Sequence, residues 1–422
     1  LAASESMQTS RHEKLLFIGE LSLDGRLRRV NGVLPITLMA EKKGYEGIVL
    51  PAENAEEASL VRGIKVYPAK TLEQVYFFLN AEKDIEPYPA AGDSLWNSLP
   101  DYDVDFADVK GQESAKRGME IAAAGNHNIL MVGPPGAGKT MLSRRLPTIL
   151  PALSRDECLE VTKIYSIKGL LRAGNQVIRT RPFRSPHHTI SNIGLIGGGT
   201  VPKPGEVSLA HHGVLFLDEL PEYKRDVLEV LRQPLEDGVV SIARAASSVT
   251  FPASFILVAA MNPCPCGWLG DYVHNCTCSP HSVEKYLKKI SGPLLDRIDI
   301  HVEVARLEPD KMTADAAGES SAVIRARTQE ARERQLRRYR DENIYSNAEL
   351  HGRLLKKYCS LPEEAEETLK LAIKTFGFTA RTYDRIRKLA RTIADLAGCD
   401  EISQADIAEA IQLRNMDRKY WG

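Results

Sequence analysis

The sequence predicts an α/β protein with a parallel, helix-flanked sheet followed by an all-helical C-terminal region. Strand-like and helical segments alternate between about residues 106 and 304. Two of these segments, NILMV at 128–132 and SFILVAAMN at 254–262, are almost continuously apolar, as buried parallel strands are. From 361 to 413 the apolar residues recur with helical periodicity and without strong strand patterns, which predicts the helical region.

The 422-residue chain is too long for one ordinary core, because domains usually run to about 100–200 residues. Residues 1–80 have a compact α/β pattern, and residues 81–105 form a linker rich in proline and acidic residues. Residues 106–305 hold the alternating strands and helices. Residues 306–422 form a second linker and the helical domain.

Composition and charge exclude several classes of protein. Hydrophobic residues make up 43% and charged residues 26%, as in ordinary globular proteins. With 55 basic and 56 acidic residues, any surface that attracts nucleic acid must be local. We find no apolar run long enough to span a bilayer and no signal peptide, so we expect no membrane partner. Seven cysteines with one tight cluster favour a reducing cytoplasm over a disulfide framework, and a start at Leu1 rather than Met suggests a trimmed N-terminus.

A glycine-rich loop follows the apolar strand at 128–132. Its residues are Gly133, Pro134, Pro135, Gly136, Ala137, Gly138, Lys139 and Thr140, and a helical segment comes next. Strand, loop and helix in this order are the context of a phosphate-binding loop, in which backbone N–H groups and the helix N-terminus face the phosphates. We expect Lys139 to reach the β- and γ-phosphates of ATP and Thr140 to bind Mg²⁺.

Polar side chains end two further apolar strands. GVLFLDE at 213–219 ends in Asp218 and Glu219, and the strand at 254–262 ends in Asn262. Ligands bind at the carboxyl ends of parallel strands, so we expect Asp218 to bind Mg²⁺, Glu219 to polarise the attacking water and Asn262 to orient that water. An ordinary turn-forming role at the strand end is the alternative for Asn262.

Several separate blocks resemble one family. They are RPFRSPHH at 181–188, IGGG at 196–199, PGEVSLAHHGVLFLDELPE at 204–222, LRQPLEDG at 231–238, NPCPCG at 262–267 and SGPLLDRID at 291–299. Together they resemble the ComM/YifB-type, magnesium-chelatase-like branch of the AAA+ ATPases over nearly the whole chain. The resemblance implies an AAA+ P-loop core with a helical lid, a helix-2 insertion at about 165–212 and a Cys-rich loop at 262–281. It also implies a homo-oligomeric ring, expected to be a hexamer.

Two arginines match functional positions of this family. Arg297, in LLDRID, matches the arginine finger that reaches the γ-phosphate bound by the neighbouring subunit. The alternative is an ion pair with Asp296 or Asp299 within the chain. Arg381, in FTARTYDRIRKLAR, matches the sensor arginine of the lid, and Arg385 is the second choice one helical turn later.

The segment VVSIARAASSVTF at 239–251 resembles the hairpin before sensor 1 in minichromosome-maintenance helicases. That hairpin lines the pore of the ring, and Arg244 occupies the position of its DNA-contacting basic residue. An arginine on phosphate gives sequence-independent binding, so the resemblance implies a single-stranded or branched DNA partner. Read from the residues alone, a solvated arginine is the favoured interpretation.

Two cysteine pairs, Cys264 with Cys266 and Cys276 with Cys278, flank a turn-forming segment. A hairpin that joins them supplies four thiolates for a structural Zn²⁺. One intervening residue in each pair is fewer than zinc sites usually have, and His274 and His281 are candidate substitute ligands. Four reduced cysteines without a metal are the alternative. The adjacent pairs His187–His188 and His211–His212 are interpreted as structural or pore-loop residues.

Residues 15–79 resemble the C-terminal half of a Lon-protease-like domain, so the first domain is interpreted as a partial one. The lysine of the Lon catalytic dyad falls near Leu34, and leucine cannot act as a base. We therefore expect no protease activity and a docking or DNA-facing role. The arginine-rich segment at 325–340 is interpreted as a solvated, salt-bridged helix.

The leading hypothesis is a ring-forming ATPase that moves along DNA. For this family, the resemblance implies helicase and branch-migration work during integration of imported DNA in natural transformation. The alternative is an ATPase subunit that remodels a protein partner, as in magnesium chelatase. ATP-dependent proteolysis is a third reading, and Leu34 counts against it.

Overall fold

The structure is a computed structural model, and it describes residues 11–97, 102–171, 177–243, 248–307, 318–414 and 416–421. The chain divides into two compact units. The first comprises Leu1–Pro100 with Leu153–Thr180, and the second comprises Asp101–Ala152 with Arg181–Gly422.

The strands of the described residues are short. They are β1 (Leu15–Phe17), β2 (Glu20–Leu21), β3 (Leu27–Arg28), β4 (Gly47–Pro51), β5 (Lys65–Ala69), β6 (Ile129–Val132), β7 (Phe183–Arg184), β8 (Gly197–Gly198), β9 (Lys203–Pro204), β10 (Val214–Leu217), β11 (Val239–Ala243), β12 (Ser248–Pro252), β13 (Ile256–Met261) and β14 (Ile300–Glu303).

The α-helices of the same residues are α1 (Val33–Lys42), α2 (Ala55–Ala58), α3 (Leu72–Leu79), α4 (Ser94–Asn97), α5 (Glu113–Gly125), α6 (Lys139–Ile149), α7 (Arg155–Lys168), α8 (Asn192–Ile196), α9 (Glu206–Leu209), α10 (Arg225–Glu229), α11 (Arg232–Asp237), α12 (Pro280–Leu287), α13 (Gly292–Leu295), α14 (Ser321–Arg338), α15 (Gly352–Tyr358), α16 (Glu363–Phe376), α17 (Ala380–Leu396), α18 (Gln404–Gln412) and α19 (Met416–Trp421).

The second unit is built on a five-stranded parallel sheet in the order β14-β6-β13-β10-β7. Its central strands are fully buried, which explains why they are continuously apolar in the sequence. The predicted α/β class with a parallel sheet is confirmed. Because all five strands run in one direction, the residues that follow β6, β10 and β13 meet at one edge.

Helices cover this sheet and continue into the C-terminal region. One apolar core includes Met131 and Phe216 of the sheet, Leu142 of α6, and Leu389 and Ile393 of α17. The arginine-rich α14 contacts α5, α6 and α17. It buries Ile324, Thr328, Ala331 and Gln335, so one face of this helix belongs to the core rather than to solvent.

The first unit holds a three-stranded parallel sheet in the order β1-β4-β5. Its α1 packs against α7, and the Ser166 hydroxyl of α7 donates a hydrogen bond to the buried Glu57 carboxylate. Cys158 of α7 lies in the same core as Leu34 and Ile48. The sequence predicts that residues 153–180 belong to the ATPase core. In the structure they lie in the first unit, because the apolar face of α7 completes the core of that unit.

No α-helix within the described ranges combines the length and the apolar character that crossing a bilayer requires.

Candidate active site

The phosphate loop connects β6 to α6 at the carboxyl edge of the sheet. Gly136 and Gly138 have positive φ angles of 76° and 96°, which side chains disfavour. Gly133 has another reason to be glycine, because a Cβ atom there would lie 2.1 Å from the Val304 carbonyl oxygen. Gly138 is the residue before α6, so the N-terminal turn of that helix opens directly onto the loop.

The Lys139 ammonium lies inside the curve of this loop. Its Nζ donates to the Gly133 carbonyl oxygen at 2.6 Å, to the Pro134 carbonyl oxygen at 2.9 Å and to Asn262 Oδ1 at 3.1 Å. Burial lowers the pKa of Lys139 to about 8, although the charges of Asp218 and Glu219 act in the opposite direction. A buried cation with only neutral oxygen partners is a natural place for an anionic phosphate.

The structure places Thr140 and Asp218 together. The Thr140 hydroxyl donates to Asp218 Oδ2 at 2.8 Å, and Asp218 Oδ1 accepts the backbone N–H of Glu219 at 3.0 Å. Glu219 has a left-handed backbone (φ 52°), and its side chain is 57% exposed, so the carboxylate points away from the core. An exposed carboxylate beside a hydroxyl–carboxylate pair can accept a proton from a bound water.

Asn262 follows β13, the strand between those of the phosphate loop and of Glu219. Its Oδ1 is the third partner of Lys139. The Tyr286 phenol of α12 lies near the Asn262 backbone, and burial raises the pKa of that phenol. Asn262 therefore lies between Lys139, on its side chain, and Tyr286, near its backbone. A turn-forming role alone does not explain why the Asn262 amide oxygen accepts a hydrogen bond from Lys139.

The residues present fit a magnesium nucleotide. Mg²⁺ prefers hydroxyl, carboxylate and phosphate oxygens, and the Thr140 hydroxyl and the Asp218 carboxylate are adjacent. Left-handed glycines turn loop N–H groups toward an anion, and Lys139 supplies a positive charge that is free of carboxylate hydrogen bonds. Bound Mg²⁺ would neutralise charge on the β- and γ-phosphates.

Comparison with known proteins assigns the family. Residues 105–312 match the family described as "Magnesium chelatase, subunit ChlI", and residues 318–414 match the C-terminal part of that subunit. Residues 1–54 match a third description, "Subunit ChlI of Mg-chelatase". The competence protein ComM of Haemophilus influenzae is 44% identical over 99% of this chain and 81% of its own length. The chain belongs to the ComM/YifB family of magnesium-chelatase-like AAA+ ATPases.

Other relatives agree with this family. YifB of Salmonella typhimurium is 43% identical over 99% of the chain and 80% of its own length. Lon protease 2 of Bacillus subtilis is 28% identical over 33% of the chain and 26% of its own length. The predicted resemblance is confirmed, and the chain is an ATPase of this family that uses nucleotide and Mg²⁺.

The sequence did not predict that His188 would lie beside Glu219. His188 Nδ1 is 3.6 Å from Glu219 Oε2, and the imidazole also contacts the ring of Tyr223. Tyr223 fixes this loop because its phenol donates to the Pro186 carbonyl oxygen at 2.6 Å. His187, by contrast, is exposed, and its Nδ1 is 2.9 Å from the Thr189 hydroxyl. No local pattern in the sequence indicates this contact, because it depends on β7 lying beside β10 in the sheet.

Arg297 lies at the end of α13 and is largely buried, with 13% of its side chain exposed. Its guanidinium donates to the Glu236 carboxylate of α11 and to the Pro293 carbonyl oxygen at 2.7 Å. The alternative partners considered from sequence, Asp296 and Asp299, are engaged elsewhere. Arg297 forms an intrachain ion pair, but its carboxylate partner is Glu236, 61 positions away, rather than Asp296 or Asp299.

The two candidate sensor arginines on α17 have different environments. Arg381 is 66% exposed, and its Nη1 lies 3.2 Å from Asp296 Oδ2. Arg385 is only 14% exposed, donates to the Ile298 carbonyl oxygen at 3.2 Å and lies 3.8 Å from Asp299 Oδ1. Arg381 is therefore the one whose guanidinium is accessible, while Arg385 is held in the core.

The remaining predicted residues fall into two groups. Arg244 directly follows β11 and lies outside the described residues. The four clustered cysteines, Cys264, Cys266, Cys276 and Cys278, converge, and each can place its sulfur within 4.8 Å of the other three. His274 and His281 are not part of that group among the residues described.

Proposed function

We propose that this chain is the subunit of a ring-forming ATPase that drives movement along single-stranded or branched DNA. In this proposal it acts as a helicase and branch-migration motor when imported DNA is integrated during natural transformation. The similarity to a protein named for competence supports the biological setting. Family membership indicates ATP hydrolysis but does not say what work its energy drives. The proposal concerns that work.

One structural observation carries this proposal. The hairpin β11–β12 is inserted between β10 and β13, the strands that end at Glu219 and Asn262. Its strands pair antiparallel from Val239–Pro252 to Ala243–Ser248 and are separate from the parallel sheet. Along the chain, α10 and α11 connect Glu219 to this hairpin, and β13 connects the hairpin to Asn262, so a change at the bound nucleotide would reach the hairpin through these elements. Arg244 comes next in the chain after β11 and would contact the DNA backbone.

The roles at the hydrolysis site follow from the contacts. Lys139 would exchange its carbonyl and amide partners for phosphate oxygens, and Thr140 with Asp218 would hold Mg²⁺. Glu219 would take the proton of the attacking water, and Asn262 would orient that water. Arg381, exposed on α17, would complete the site from the helical region.

Ring formation gives Arg297 its role. In a homo-oligomer, expected to be a hexamer, this arginine would act on the nucleotide of the neighbouring subunit. The clustered cysteines would hold a structural zinc ion and take no part in the chemistry.

DNA unwinding tests the proposal directly. Purified protein is incubated with a fluorescently labelled forked duplex and a three-stranded branched substrate, with and without ATP·Mg²⁺. We expect ATP-dependent strand separation by the wild type and none by Lys139→Ala. Arg244→Ala should retain basal ATP hydrolysis and lose unwinding, while Arg353→Ala on α15 serves as the matched surface-arginine control.

The motor proposal fails if the wild type hydrolyses ATP but leaves both substrates intact and its hydrolysis rate ignores DNA. That result would favour the alternative, an ATPase that remodels a protein partner. The observation behind this alternative is the match of residues 105–312 and 318–414 to magnesium chelatase subunits.

A further inference from the structure

The thiols of Cys264, Cys266, Cys276 and Cys278 converge on one point. The Cys264 sulfur lies 3.4 Å from that of Cys266 and 3.6 Å from that of Cys276, and the Cys266 and Cys276 sulfurs are 3.5 Å apart. A tetrahedral zinc site with Zn–S bonds of about 2.3 Å places its sulfurs about 3.8 Å apart. Disulfide sulfurs are separated by only about 2.05 Å, so these spacings are those of ligands around an ion.

The surroundings of the sulfurs also suit thiolates. The backbone N–H of Cys266 points at the Cys278 sulfur at 3.4 Å, the kind of contact that stabilises a metal-bound thiolate. Cys264 is completely buried and the other three are half-buried, so an ion here would be covered from the protein side. His274, a candidate substitute for one of the thiols from sequence, instead packs its ring against Trp268 with centroids 4.3 Å apart.

The chain segments before the first cysteine pair and after the second pair both reach the phosphate-binding site. Cys264 and Cys266 follow Asn262, whose amide contacts Lys139 at 3.1 Å. Gly267, with φ 86°, lies so close to the phosphate loop that a Cβ atom there would be 2.7 Å from the Pro135 ring. The segment after Cys278 enters α12, and Tyr286 of that helix lies near the Asn262 backbone.

A third contact joins the cluster to the strand on the other side of the loop. Arg306 stacks its guanidinium over Trp268, 5.2 Å from the ring centroid, and lies 3.7 Å from the nearly buried Asp271 carboxylate. Arg306 is close in sequence to Val304, whose carbonyl oxygen packs against Gly133. The turn between the cysteine pairs therefore contacts Pro135 of the phosphate loop through Gly267. Through Arg306 it also contacts the segment that packs against Gly133.

We infer that the four cysteines bind one Zn²⁺ and that this ion holds Asn262 and Pro135 in the positions that ATP hydrolysis requires. Without the ion only weak hydrogen bonds of the sulfurs join the two cysteine pairs, and the segment from Asn262 to Gly267 loses its strongest link to the second pair. The inference rests on the nucleotide site and is independent of DNA translocation.

Metal content and ATP hydrolysis are measured on the whole chain purified under reducing conditions. We expect one zinc per chain by elemental mass spectrometry and, after exchange with Co²⁺, the visible absorption of tetrahedral cobalt thiolate. Removing zinc from the wild type with a chelator should lower kcat for ATP on the order of 10²-fold, as expected when a positioning group shifts by about 1 Å. Returning zinc should restore the rate.

Variants distinguish the effect of losing the ion from the effect of disturbing the fold. Cys276→Ser and Cys278→Ser should lose zinc and most of the ATPase rate, while Cys399→Ser, an exposed cysteine outside the cluster, should keep both. Gly267→Ala should keep zinc but lose rate, because its new methyl group displaces Pro135. Protein that holds no zinc or cobalt overturns the site. Zinc-free wild type with an unchanged ATPase rate overturns the link to hydrolysis, whatever happens to DNA unwinding.

Discussion

Arg297 donates a hydrogen bond to the Glu236 carboxylate of its own chain, and the side-chain hydrogen bond with Arg297 lowers the pKa of that carboxyl group. Glu236 belongs to α11, which leads directly into the β11–β12 hairpin. To reach a nucleotide on a neighbouring subunit, the Arg297 guanidinium would have to leave Glu236. In the proposed ring, engagement of Arg297 as a finger and the position of the hairpin would therefore be linked through this ion pair.

The first prediction concerns Arg297 in trans. Arg297→Ala should lower the ATPase rate about 10³-fold or more, the effect of removing an arginine finger. Mixing it with Lys139→Ala should restore part of the rate, because some interfaces then combine an intact loop with an intact finger. Steady-state phosphate release is the measurement, and Lys288→Ala, just after α12, is the surface control. Absence of any recovery in verified mixed oligomers contradicts a finger in trans.

The second prediction assigns a positioning role to His188. His188→Ala should reduce kcat roughly tenfold, equivalent to about 1.4 kcal/mol, because Glu219 loses the imidazole that lies 3.6 Å from its carboxylate. Nucleotide affinity should stay unchanged. His351→Ala is the control, since His351 is exposed and its Nδ1 lies 2.7 Å from the Glu349 carbonyl oxygen. The loss should appear in kcat and not in the KM for ATP, and an equal kcat for both variants would refute the role.

The third prediction separates the two lid arginines. Arg381→Ala should lower ATPase activity without a change in melting temperature, because its side chain is 66% exposed. Arg385→Ala should lower the melting temperature, because the buried Asp299 carboxylate then loses one of the positive charges that offset its burial. Thermal unfolding and ATP hydrolysis are measured on both proteins. A destabilised Arg381 variant, or a stable and inactive Arg385 variant, reverses the assignment.

The fourth prediction concerns stability in acid. Burial alone would raise the pKa of Asp299, but the hydrogen bond with His127 and the charges of Arg385 and Lys388 outweigh it, so the pKa lies well below its usual value. A lowered pKa stabilises the fold above the unfolded pKa of about 3.9, and that contribution disappears as the pH falls through the lower folded value.

Asp299→Asn should therefore reduce the free energy of unfolding at pH 7 by about 3–5 kcal/mol, as breaking a buried ion pair does. Its stability should also depend less on pH below about 4 than that of the wild type. Urea titrations at several pH values measure both effects. Asp296→Asn, whose partner Arg381 is exposed, should cost less than about 1 kcal/mol, and an equal loss in the two variants would contradict the prediction.

Residues that are local in sequence could be predicted, and residues that meet through the sheet order could not. The phosphate loop is one continuous segment, and Asp218 and Asn262 each end an apolar strand, so their convergence follows from a parallel sheet. Contact between His188 and Glu219 requires β7 to lie beside β10, which no local pattern indicates. Glu236, the partner of Arg297, is likewise far away along the chain, at 61 positions. Asp296 and Asp299 were candidates only because they are close to Arg297 in sequence.

The position of α7 has a consequence for biosynthesis. The core of the first unit contains Leu34 and Ile48 from the N-terminal residues and Cys158 from α7, which the ribosome makes after the phosphate loop. That core cannot close when residue 100 has left the ribosome, and its apolar surface stays uncovered until α7 arrives. Folding of the two units is therefore interleaved in time, and a gene fragment cut in the proline-rich segment would encode the first unit without part of its interior.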